Sequence, residues 1–96
     1  MKQRWFEQEV WNEDIESFFW DKISRARKKT ASQYIRIQAI ILLESQDHHY
    51  QETAIRLMQH VFNDYSDSYM DVMFCHLSLA DYYNKKQDFT NSYLHY

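Results

Sequence analysis

His76-Leu77-Ser78-Leu79-Ala80-Asp81-Tyr82-Tyr83-Asn84-Lys85-Lys86-Gln87-Asp88-Phe89-Thr90-Asn91-Ser92-Tyr93-Leu94-His95-Tyr96 is the stretch that decides the fold. With the residues just before it, Val72, Cys75 or His76, Leu79 and Tyr83 recur at the three- and four-residue spacing of a helix with one apolar stripe, which predicts a helix over residues 69–86. Asp88 has the side chain and the position of an N-cap, so a further helix is expected to begin at Phe89. Helices joined by only a few polar residues pack antiparallel. The stretch therefore reads as a helical hairpin.

Upstream, the same period recurs. Ala54, Leu57, Met58, Val61 and Phe62 mark a helix whose wetter side carries Arg56, Gln59 and His60, and residues 63–68 are all turn-compatible. Before it, Thr30 followed by Gln33 has capping-box spacing, which predicts a helix through Tyr34, Ile35, Ala39, Leu42 and Leu43 that ends in the polar stretch 44–49. In residues 1–29, Ile15, Phe18, Phe19, Lys22, Ile23 and Ala26 outline a first helix with one greasy face. Asn12 or Asp14 is its expected N-cap, Glu13 and Glu16 suit its positive end, and Arg25, Arg27, Lys28 and Lys29 crowd its negative end. The expectation is one all-α domain of about five helices over residues 1–96.

Composition narrows the alternatives. Ninety-six residues with 45% hydrophobic content suffice for one core and not two. Average usage would place about a dozen Gly and Pro in such a chain, and this one has neither. That removes the commonest residues of tight turns and hairpins. A net charge of -3 and a pI near 5.9 argue against general affinity for nucleic acid, which needs a cationic face. The single Cys75 cannot form an internal disulfide, and the charged start (Lys2, Arg4, Glu7, Glu9) lacks the apolar stretch of a secretion signal, so a cytoplasmic protein is expected. The longest apolar run, residues 39–43, is far below the ~18 residues of a membrane span.

On Leu79, Ala80, Tyr83, Phe89, Ser92 and Tyr96, the chain resembles a tetratricopeptide repeat, a family that sets a leucine and a small residue three before a tyrosine, then a turn, an aromatic, a small residue and a second aromatic. Gln87 stands where that family prefers glycine, and no proline closes the unit. Ala39, Leu42, Ala54, Met58 and Val61 form a weaker copy with a longer connection. The resemblance implies antiparallel hairpins stacked as a short superhelix, with residues 1–29 as an amino-terminal capping helix segment and residues 30–96 as two hairpins, the last incomplete. It further implies a protein- or peptide-binding scaffold rather than an enzyme. By analogy, the groove would carry Gln33, Arg36, Asp81, Asn84 and Lys85. Asp81 replaces the asparagine of carboxylate-binding members, so a terminal-carboxylate ligand is not implied. Tyr93, Leu94 and Tyr96 leave the last helix without a packing partner, which self-association through that helix, or a following helix of a longer repeat protein, would cover.

Other chemistry finds less support. His48 and His49 with His60, or Cys75 with His76, lack the paired spacings of zinc sites, and His48 and His49 fall in an expected flexible connection, so no metal or other cofactor is assigned. Cys75 lies on an apolar stripe, where a thiol fills space. Carboxylates such as Glu13, Asp14, Glu52 and Asp64 have no supporting base or oxyanion donor, and no catalytic residue is assigned. The cluster Lys22, Arg25, Arg27, Lys28 and Lys29 is the best nucleic-acid candidate, though six upstream acidic residues balance it and a solvated helix end accounts for it.

Overall fold

Asn12 starts the first helix by accepting the Ile15 amide on its side-chain oxygen at 2.9 Å. In the computed structural model, which describes residues 4–85, α1 spans Glu13–Arg25, α2 Lys28–Leu43, α3 His48–Asp64 and α4 Tyr69–Lys85. Every regular element among the described residues is a helix. None is long and apolar enough to cross a membrane. The expected helix from Phe89 with its cap Asp88, and the packing residues Phe89, Ser92 and Tyr96, lie outside the described residues.

Two expected boundaries move. The second helix starts at Lys28 rather than Thr30, after a break at Ala26 and Arg27, both extended, and its N-cap Arg27 makes no side-chain cap bond. Ala31 and Ser32 are buried, so packing draws the first turn onto the core and overrides the local capping signal. Lys28 and Lys29 thus belong to the start of α2, not to the end of α1. The third helix starts at His48. Asp47 Oδ1 accepts the amides of His49 at 2.8 Å and Tyr50 at 3.4 Å, which brings His48 and His49 into the first helical turn instead of a flexible connection.

The helix faces also sort differently from the pattern in two places. Phe18 is 51% exposed, with the Lys22 ammonium 5.4 Å from its ring centre, while Phe19 takes the buried position. On α4 the inward residue is Cys75, and His76 is exposed. Leu79 and Ala80 are buried and Tyr83 is half-buried. Phe19, Ile35, Ala39, Leu42, Ala54, Met58, Val61 and Cys75 are sealed from solvent. Each of the larger ones contributes about 1.5–3 kcal/mol by leaving water.

The arrangement follows from the pairings. α2 and α3 form an antiparallel hairpin with the most extensive interface. α4 runs antiparallel to α3, since Tyr82 near its end donates to Gln51 near the start of α3 at 3.2 Å and His76 stacks on Phe62 at 4.4 Å. α4 consequently runs alongside α2 in the same direction, with Asp71 meeting Ser32 and Arg36. Glu16 and Trp20 of α1 likewise lie beside Arg56 and His60 of α3 in order. The segment before α1 crosses α2: Phe6 stacks on Tyr34 at 4.2 Å, Trp5 meets the same ring edge-on at 4.9 Å, and Trp11 packs edge-on against Phe19.

Candidate partner-binding surface

The five residues assigned to a groove do not meet at one place. Gln33 and Arg36 line a recess of about 670 Å³ between the amino-terminal halves of α2 and α4, together with Lys28, Lys29, Met70 and Phe74. Asp81 and Lys85 line a second recess, of about 360 Å³, between the carboxy-terminal ends of the same helices and the 44–46 connection. They pair with each other at 3.1 Å across one helical turn. Asn84 is exposed and lines neither recess.

Arg36 anchors the first recess. Its Nε donates to Asp71 Oδ1 at 2.6 Å, its guanidinium sits 4.9 Å from the Phe74 ring centre, and the two side chains are only 19% and 13% exposed. Ser32 hydrogen-bonds the second oxygen of Asp71 at 2.7 Å and the Ser68 hydroxyl at 3.0 Å. Both carboxylate oxygens are therefore engaged, as a largely buried ion pair requires. The cluster ties the start of α4 to α2 and forms the wall of the recess.

Cys75 lies just beneath. Its thiol is pushed up to about 12, chiefly by burial and also by Asp71, with Arg36 pulling in the opposite direction. At neutral pH it holds its proton, and a protonated buried thiol is a poor nucleophile. The histidines are scattered. His48 lies 3.1 Å from Glu52, His60 lies 3.2 Å from Asp64 and against Trp20, and His76 stacks on Phe62. Among the described residues no three of His, Cys, Asp and Glu side chains gather as a metal site would. A shallow recess of about 480 Å³ between α1 and α3 is held by internal bonds: Glu16 accepts Trp11 Nε1–H at 2.8 Å and faces Arg56 at 3.8 Å.

The basic cluster divides. Lys22 lies over Phe18 and Arg25 pairs with Asp21 at 3.2 Å. Arg27, Lys28 and Lys29 are exposed and have no carboxylate within 4 Å among the described residues. Lys28 and Lys29 stand at the positive end of the α2 dipole, where cations are locally unfavourable.

One surface was not singled out by the sequence pattern. Tyr69 (80%), Met70 (65%), Met73 (49%), Phe74 (36%) and Leu77 (51%) are exposed on α4. Positions 70, 73, 74 and 77 follow the spacing of a single helix face. The signal was present in the sequence but ambiguous, because α4 is apolar on two sides and periodicity cannot say which side is inside. Comparison of the chain with family models, with curated proteins and with solved structures finds no match.

Proposed function

We propose that this chain is a protein- or peptide-binding module, a scaffold or adaptor built as a short tetratricopeptide-like stack without catalysis. The observation that carries the reading is the relation of α2 to α4. They lie side by side in the same direction, joined by contacts between residues 35 to 39 apart in sequence, as the first helices of successive repeats would be. Between them is an open recess, and beyond it α4 presents a contiguous apolar face to solvent, a feature that marks interaction surfaces in soluble proteins. The reduced, buried thiol of Cys75 suits the cytoplasm as its compartment.

Panning a random displayed-peptide library on the folded protein tests this. Sequences should be enriched that bind the parent and not a Met70→Ser/Leu77→Ser variant of unchanged melting temperature. Equal enrichment on both would remove the assignment.

Arg27, Lys28 and Lys29 favour a second reading, nucleic-acid association. It is weaker because Lys22 and Arg25 are engaged elsewhere and the chain is net negative. A gel shift weakened by salt and abolished by Arg27→Glu would support it.

A further inference from the structure

We infer that the recess between the amino-terminal halves of α2 and α4 takes an acidic peptide segment that carries large aliphatic side chains. The inference rests on the peptide-binding reading and narrows it to one class of partner.

Shape and polarity both favour such a segment. The recess, about 670 Å³, falls within the roughly 300–1,000 Å³ of cavities that accept ligands. Met70 and Phe74 belong both to its lining and to the exposed apolar face of α4, which Met73 and Leu77 extend beyond the recess. A peptide seated there can bury one side chain in the recess and lay its neighbours along the helix. Thioether side chains suit such contacts, because they are unbranched, polarizable and adapt to the partner's shape.

Charge favours it as well. Lys28 and Lys29 line the recess and Arg27 precedes them, all three without an ion-pair partner among the described residues. Of the two acidic residues in the lining, Asp71 is committed to Arg36 and Ser32, and Asp67 alone offsets the cations. The rim is therefore positive in a chain whose net charge is -3. Within a Debye length of about 8 Å the local sign governs, and it complements carboxylates.

The same features disfavour the other occupants. A nucleic acid would find one open ring to stack on, Tyr69: Arg36 already lies over the Phe74 ring, and methionines offer no aromatic face. A second copy meeting this recess across a two-fold axis would bring its own Lys28 and Lys29 against the same pair.

The test uses the full chain and two fluorescein-labelled synthetic peptides with identical leucine spacing, one with glutamate and one with lysine at the remaining positions, read by fluorescence anisotropy. The glutamate peptide should bind more tightly than the lysine peptide and weaken with salt. Lys28→Glu/Lys29→Glu should lower its affinity by about tenfold or more with the circular-dichroism melt unchanged. Equal binding of both peptides, insensitive to that variant, would overturn the acidic partner while leaving a peptide groove standing. Binding of neither peptide would overturn both. A single-stranded oligonucleotide that binds with the same lysine dependence, with no peptide bound, would hand the site to nucleic acid. A concentration-dependent dimer broken by Met73→Ser/Leu77→Ser, again with no peptide bound, would hand it to a second copy.

Discussion

Gln38 and Gln8 exchange two hydrogen bonds of 2.8 Å: the Gln38 side-chain oxygen accepts the Gln8 backbone N–H, and the Gln38 amide nitrogen donates to the Gln8 carbonyl. A fully buried side chain thus serves the backbone of the amino-terminal segment much as a neighbouring strand would. It satisfies two main-chain groups that otherwise lose water without compensation. The rings of Trp5 and Phe6 on Tyr34 hold the same segment by burial.

Gln38→Leu keeps the volume and removes both bonds, leaving the Gln8 amide and carbonyl unpaired. The expected loss is about 1–3 kcal/mol in urea unfolding. Tryptophan fluorescence should report the Trp5 and Trp11 environments changing at lower urea than far-ultraviolet circular dichroism reports the helices, because the segment is held separately from them. Coincident transitions at the parental midpoint would show that the pair does not fasten the segment.

Arg36 and Asp71 act as a unit. Asp71→Ala strands a guanidinium that is four-fifths buried and also removes one of the acceptors of the Ser32 hydroxyl, so a loss of about 3 kcal/mol is expected, at the low end for a broken buried pair. Arg36→Met/Asp71→Ala removes both charges and should recover at least about 1 kcal/mol of it in a double-mutant cycle. Additive single effects would mean that water already screens the pair.

Helix existence was legible wherever one stripe was clearly apolar. Ala54, Leu57, Met58 and Val61 are all buried on α3, and the Asn12 cap was visible as a residue type at a boundary. Thr30 misled because a capping box is only a local preference of about 1 kcal/mol, and the helix starts at Lys28 with no side-chain cap bond at all. His48 and His49 misled because polar residues fit a helix surface as well as a loop, and Asp47 as cap was the overlooked signal. Of the recess, only Gln33 and Arg36 were placed in a groove by the resemblance. Its walls come from Lys28, Arg36 and Met70, which sequence leaves far apart and only the same-direction packing of α2 and α4 brings together. Asp71 was hidden for the same reason, since no spacing rule pairs it with Arg36 35 residues away.

Ala80 is 1% exposed on the inner side of α4, beside Leu79. Ala80→Leu inserts three heavy atoms where none fit, and should cost about 1–3 kcal/mol through displaced helices and strained rotamers. Ala80→Ser, which adds one small polar atom, should cost less. A melting temperature unchanged by the leucine would show that α4 has room there.

Cys75 makes the stability depend on alkaline pH. The folded thiol holds its proton up to about 12, while a cysteine in the unfolded chain releases it near about 8.5. Between these values the native state carries a proton that the unfolded state has lost, so stability falls as pH rises, by up to about 1.4 kcal/mol per pH unit, and is fully present below the lower value. Cys75→Ala lowers stability below the unfolded thiol's titration by emptying part of the core and abolishes this slope, so the two curves converge as pH rises. Urea midpoints taken from pH 8 to pH 11, flanking the unfolded thiol's titration, separate the two effects. Parallel curves for parent and variant would show that the thiol titrates alike in both states and is not sealed in the core.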